Sequence, residues 1–471
     1  MKLERIVTRE ENFADWYTSV IQAAKLVDYS SIKGVIIYQP RGWSIWQNIV
    51  NEVDRRFKPL QIENVQLPLF IKYDEFVKEK KHIEGFAPEL FLVTKKGDQP
   101  LEEPYVIRPT SEVAFCNYFK KIINSYNDLP LKYNQWCNVF RVEKNTRPFL
   151  RNSEFFWQEL HTAHANQLEA QKQAATMIKE YEKFLNDFLC VPVLVGEKTE
   201  GERFAGADNT YTAEALMQDG QALQCGTSHY LAQNFSNIFQ IKFQNKNNQF
   251  ELIYQTSAGM STRLIGAIIM SHSDDKGLVL PFGVAPTQVA ILSIFGDKNP
   301  QVKTTVASLS QSLASHFRIQ IDDSDKGLGY KIAEQEVSGT PFIIAIGPKD
   351  VEKDEVTLIR RDQGTKRPIK ISEVVKTINQ EVDLYQKSLY KIANDRLHSS
   401  IVEVDNMEDF MKASKEKKIM LAPWGGDIQD EKQLKEKTGI SPRCIQGPTN
   451  KAKCFFTGKP AKNMVYFAKA Y

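Results

Sequence analysis

Cysteine is scarce in this chain: six among 471 residues, scattered widely and without a CxxC pair. That scarcity argues against a disulfide framework and for a reducing compartment. An excess of one charge is also missing, because 61 Lys and Arg against 58 Asp and Glu leave only +3. No global field marks a nucleic-acid binder, so any RNA contact must come from local basic patches. The opening stretch MKLERIVTREENFADWY lacks an apolar segment and does not read as a signal peptide. One uncharged run, Gly277 to Gly296, is twenty residues long, enough to span a bilayer, but it contains Pro281, Pro286 and three glycines. It reads as a buried strand, a turn and the first strand of a new domain, and no membrane partner is expected.

What is present is ordinary globular composition, with 42% hydrophobic and 25% charged residues. The length suggests about three domains. The most informative stretch is Phe140 to His164, FRVEKNTRPFLRNSEFFWQELHTAH. Arg141 and Glu143 at a spacing of two share one face of a strand. A basic loop with Lys144, Arg147 and Arg151 follows, and Ser153 to Leu160 returns as a second, aromatic strand. Guanidinium forks pair bidentately with phosphate oxygens, so such a hairpin suits a nucleoside triphosphate. An Arg-rich hairpin with solvated salt bridges has the same pattern.

This FRxE, loop and RxxEFxWQE pattern resembles motif 2 of the class II aminoacyl-tRNA synthetases, most closely prolyl-tRNA synthetases of the archaeal/eukaryotic type. The likeness runs over nearly the whole chain and weakens after about Tyr390. GVIIYQPRGWSIWQNIVNEVDRRF, a strand, a break at Pro40-Arg41-Gly42 and an amphipathic helix, is similar to motif 1, which implies a homodimer. It follows a helix expected over residues 11 to 30. Ser257 to Ser273, SAGMSTRLIGAIIMSHS, resembles motif 3.

Site residues follow from the resemblance. EEPYVIRPTSE presents Thr110 and Glu112, which match the residues that hold the secondary amine of proline; Thr110 or Ser111 could instead cap a helix. A carboxylate suits the cationic imino group of proline. His229, in a glycine-broken strand and turn, falls on the proline pocket, while Gln224 and Thr227 fall on ATP-contacting positions. Gly226 and Ser228 are small enough to let a ligand approach. Arg141 would bridge the proline carboxylate and the α-phosphate. Glu143, Arg151, Asn152, Phe155, Ser261 and Arg263 complete the implied ATP site, with Arg263 on the γ-phosphate and Mg²⁺ sharing the charge. Arg141 and Arg263 are the catalytic pair. The loop His82 to Glu89 resembles the segment that closes over substrate. Two positions depart from the family: Ala258 stands where it usually has Trp, and Leu160 where it usually has Gly.

From Ala285 the strands and helices alternate, as in the anticodon-binding domain of class II synthetases. Glu336 and Lys349 match residues that read anticodon guanines, a carboxylate accepting from N1/N2 and an ammonium donating to O6. Ile343 replaces a third, arginine contact, and Arg360, Arg361 and Lys366 are expected on phosphates or in solvent. After Tyr390 the family often binds zinc through four cysteines, but only Cys454 matches, with Cys444 near a non-ligand position. Two thiols cannot close a tetrahedral site, so no zinc is expected. The terminal Tyr471 is expected to tuck toward the catalytic domain, as in some relatives.

The resulting expectation is an α/β protein. Residues 1–283 form an α+β catalytic domain with an antiparallel sheet, 284–388 an α/β anticodon-binding domain and 389–471 a small α+β domain. Its implied activity is the ligation of L-proline to tRNA(Pro) through prolyl-adenylate, in the cytoplasm. With no large insertion between motifs 2 and 3, no editing activity is expected. A sister synthetase for another amino acid, or a synthetase-like binding protein without chemistry, remain the alternatives.

Overall fold

The computed structural model describes residues 5–77 and 90–471, so the loop His82 to Glu89 lies outside the described residues. An eleven-stranded, mainly antiparallel sheet organises the chain. At its centre lie strands Leu131–Phe140, Glu154–His164, Tyr254–Ser261, Ala222–Ala232 and Asn209–Leu216, each antiparallel to the next. Helix Gln167–Asp187 covers this sheet, started by Asn166, whose side chain accepts from the Glu169 amide. Helix Arg263–His272 is buried along almost its whole length, with Gly266 and Ala267 letting neighbours come close.

The first helix is shorter than its apolar spacing suggests. Asn12 caps Phe13–Ala23, whose buried face is Trp16, Tyr17, Val20 and Ile21. Lys25 then takes a left-handed φ of 53°, and Val27–Tyr29 turns into a strand. Pro40 begins the next helix, Pro40–Phe57, rather than only breaking the chain. Gly42 in it has no room for a side chain, since a Cβ would lie 2.2 Å from the Leu26 carbonyl oxygen.

Residues Gly277 to Gly296 hold one strand, Val289–Ser293, not two. Leu278 and Leu280 are buried in the core without pairing as a strand. Val289–Ser293 is an inner strand of a five-stranded sheet of order Ile319–Asp322, Val289–Ser293, Phe342–Ile346, Glu355–Arg360, Lys366–Lys370. The first three strands are parallel and the last two antiparallel. Helix Val374–Ser399 packs Ile378, Tyr385 and Leu389 on this sheet and continues past residue 388 into the last unit.

Strands of that last unit extend the catalytic sheet. Ser441–Pro448 meets Val193–Glu197 through Ile445 and Glu197. Ala222 donates its amide hydrogen to Lys469 at 2.8 Å, and Tyr471 donates to the Ala222 carbonyl at 3.1 Å. The Tyr471 hydroxyl donates to Asp219 at 2.6 Å. Cys444 and Cys454 are buried, and burial pushes the Cys444 thiol up to about 12. No group of three metal-binding side chains occurs among the described residues. Nor is any described helix long and apolar enough to cross a membrane.

Candidate active site

Strand alternation builds the site. Phe155, Trp157, Glu159 and His161 lie at every second position of Glu154–His164 and line one cavity of about 350 Å³. Gln224, Thr227 and His229 reach the same cavity from Ala222–Ala232, which is one continuous strand rather than the expected strand and turn. Thr110, Glu112, Arg141, Ser261 and Arg263 complete it, so nine of the expected residues converge. Glu143, Arg151 and Asn152 do not line the cavity. The first two form an ion pair at 3.4 Å on the loop beside it, and Asn152 is buried with an unpartnered Oδ1.

Strand Leu131–Phe140 stops before Arg141, so Arg141 and Glu143 lie beyond the strand expected to carry them. Arg141 still donates its amide hydrogen to the Ser153 carbonyl at 2.8 Å, which continues the ladder by one residue. Its guanidinium lies over the rings of Phe155 at 5.3 Å and Trp157 at 5.4 Å and donates through Nε to the Pro109 carbonyl at 3.0 Å. Burial pulls it down to about 10, still charged at neutral pH. Arg263 donates to the Leu150 carbonyl at 3.2 Å, tying the third motif to the loop of the second. Burial and then the charge of Arg151 hold it below its ordinary value.

Neither Thr110 nor Ser111 caps helix Glu112–Ile122 through its side chain. The Thr110 hydroxyl donates to Glu112, and the Ser111 hydroxyl to Glu159. Burial pushes the Glu112 carboxyl up, opposed by His161 and assisted by the like charge of Glu159. Glu159 is shifted the other way: burial raises it, but hydrogen bonds with His161, Ser111 and Gln135 outweigh that. His229 bridges Thr210 and Thr227, each at 3.1 Å, and lies against Phe204 with ring centres 4.5 Å apart. Burial lowers it to about 3, so it is neutral at pH 7 and does not repel a cation.

Sequence reasoning left out Trp157, Glu159, His161, Lys198, Phe204 and Ser257, all of which line the cavity. The first three carry a signal, since they continue the two-residue phase set by Phe155. Gly226 lines the cavity, but a Cβ there would also meet Met260 at 3.0 Å and Tyr181 at 3.1 Å, so packing alone calls for glycine. Ser228 serves packing outright, donating to the Ala174 carbonyl of the covering helix.

In the second unit, Glu336 accepts from Lys276 at 3.2 Å near the end of helix Leu328–Ser338, and Lys349 is exposed on helix Pro348–Glu352. Ile343 is fully buried and offers nothing to a ligand. Arg360 and Arg361 were expected on phosphates or in solvent, but both are buried in ion pairs. Arg360 binds Asp362 and Glu381, and Arg361 forks Asp274 at 2.6 and 2.8 Å. Lys366 is exposed.

Three family models match the chain. Residues 91–272 match the tRNA synthetase class II core domain (G, H, P, S and T), 288–381 an anticodon binding domain, and 407–471 the prolyl-tRNA synthetase C-terminal domain. A proline--tRNA ligase of Ureaplasma urealyticum is 50% identical over 470 residues, covering 100% of this chain and 99% of the relative. One of Malacoplasma penetrans is 50% identical over 473 residues with 100% of both covered. The crystal structure of prolyl-tRNA synthetase from Cryptosporidium parvum, complexed with halofuginone and AMPPNP, superposes with a TM-score of 0.95 at 37% identity over 100% of both chains.

Proposed function

The chain belongs to the prolyl-tRNA synthetases, and on that footing we propose a division of labour among its residues. It activates proline with ATP and charges tRNA with it. Proline enters the end of the cavity walled by Thr110, Glu112 and His229. The imino cation is met by the Glu112 carboxylate, and neutral His229 adds no opposing charge. Trp157, Glu159, His161 and Phe204 complete that end.

ATP lies across Arg141, Phe155, Gln224, Thr227, Ser261 and Arg263, with the Glu143–Arg151 pair and Asn152 on the flanking loop. The proline carboxylate attacks the α-phosphorus in line, which brings two anions together. Positioning and charge neutralisation are therefore the first requirements, and no covalent nucleophile is needed. Arg141 spans the attacking carboxylate and the α-phosphate, and Arg263 holds the γ-phosphate. Mg²⁺ is commonly held by one or two carboxylates together with phosphate oxygens, which suits Glu143. When bound it supplies further positive charge to the triphosphate. The 3′-terminal adenosine of tRNA then attacks the adenylate, while Glu336 and Lys349 read the anticodon.

The observation that carries this reading is the convergence of Thr110, Glu112, Arg141, His229 and Arg263 on one cavity. Exposed Tyr29, Ile32 and Ile37 beside helix Pro40–Phe57 support a homodimer through that region, and the enzyme acts in the cytoplasm. ATP–pyrophosphate exchange with each of the twenty amino acids is the test. Proline is expected to drive exchange well above the rest, and exchange driven by another amino acid would overturn the assignment.

A further inference from the structure

Behind the cavity, three charged side chains meet away from water. Lys198 and Glu214 are each 2% exposed and Arg443 is 9% exposed. Lys198 donates to Glu214 Oε1 at 2.8 Å, and Arg443 forks Oε2 through Nε at 3.0 Å and Nη2 at 2.7 Å. Thr212 adds a hydroxyl at 2.7 Å. One carboxylate thus serves two cations, and the cluster keeps one net positive charge. Lys198 lines the cavity itself. Glu214 faces Gln224 across the strand pair, and its charge is felt at Cys225 and Arg263.

Arg443 comes from the last unit, on the strand whose Ile445 pairs with Glu197, one residue before Lys198. Burying three ions forfeits hydration that an apolar joint of equal volume would not, so the charges call for a reason beyond adhesion. We propose that Arg443 is a positioning residue for the ATP half-reaction: by sharing Glu214 with Lys198, it leaves positive charge on the cavity wall beside the triphosphate. This rests on the placement of ATP along Gln224 and Arg263 given above.

Exchange kinetics separate the KM for ATP from the KM for proline. Arg443→Met neutralises the cluster and raises the ATP KM about ten-fold, while the proline KM stays within about two-fold. Arg443→Lys restores most of the loss. Adding Glu214→Gln to Arg443→Met leaves Lys198 as the one charge, so the net charge is again that of the wild type and the ATP KM falls back. A joint that merely held the units together would behave otherwise, with both KM values and kcat drifting together and the double variant worse than either single one. Either that pattern or an unchanged ATP KM in Arg443→Met overturns the proposal. If Arg443→Met does not fold, Glu214→Gln, which keeps the side-chain volume, decides: it adds net positive charge, and a raised ATP KM there overturns the proposal. Arg263→Ala tells the two readings apart. An unchanged ATP KM in that variant refutes the placement of ATP, whereas a raised one beside an unaffected Arg443→Met refutes only the role of Arg443.

Discussion

Leu160 and Ala258 stand directly opposite each other on neighbouring antiparallel strands, Leu160 fully buried and Ala258 at the cavity wall. Opposed residues share one volume. The two positions that read as departures from the family pattern in the sequence therefore face one another and share one packing volume. Alone, Ala258→Trp would force an indole against Leu160, costing about 1–3 kcal/mol. Leu160→Gly alone would leave a void costing about 4 kcal/mol. The double variant is expected to unfold in urea at a higher midpoint than either single one. A midpoint below both would show that the two sites are independent.

On the proposed assignment of Glu112 to the imino cation, this carboxylate sets the acid side of proline use. Its raised carboxyl gains a proton at a higher pH than an ordinary glutamate, so binding of the imino cation weakens as pH falls through that raised value. The pH profile of kcat/KM for proline should show this limb. Glu112→Gln is expected to abolish the limb and lower kcat/KM by about a hundred-fold or more.

On the proposed role of Arg141, its planar fork is expected to matter as much as its charge. Held over Phe155 and Trp157, it is positioned to span two anions at once. Arg141→Ala should cut proline-dependent exchange about 10²- to 10³-fold, and Arg141→Lys should recover little of it. Full recovery in the lysine variant would mean that point charge alone suffices.

Glu214 ties stability to acidity. Burial raises its carboxyl, but Lys198 and Arg443 overwhelm that and hold it at about 2 against an ordinary 4.5. Its contribution is complete above about pH 4.5 and is lost as pH falls toward 2, on the order of 3 kcal/mol in all. Melting temperatures across that window should fall more steeply for the wild type than for Glu214→Gln.

On the proposed assignment of Glu336 and Lys349, anticodon reading is separable from activation. Glu336→Ala or Lys349→Ala is expected to raise the KM for tRNA about ten-fold or more in aminoacylation. Proline-dependent exchange without tRNA should be untouched. Equal loss in both assays would make Glu336, through Lys276, a structural residue of the catalytic core.

The residues legible in the sequence were those whose chemistry is unusual where they occur. Arg141 and Glu143 at strand spacing before a basic loop, a TxE after a strand and an Arg263 opening an apolar helix each stand out from their surroundings. Glu159 and His161 did not, because in a strand they read as ordinary polar positions until their phase with Phe155 and Trp157 is followed. Lys198 and Phe204 lie on or beside a loop with no period to follow, and the partners that define them, Glu214 and His229, are distant in sequence. The same distance explains Arg360 and Arg361. Two adjacent arginines look like surface charge, and only the fold brings Glu381 and Asp274 to them.

The clasp of Lys469 and Tyr471 on Ala222 bears on how the molecule comes into being. A strand carrying Gln224, Thr227 and His229 is made well before Lys469 and Tyr471, the residues that secure its flank at its first position. The nascent catalytic sheet must therefore wait with that flank open. An enzyme that supplies prolyl-tRNA to translation completes this part of its own sheet only once Lys469 and Tyr471 have themselves been translated.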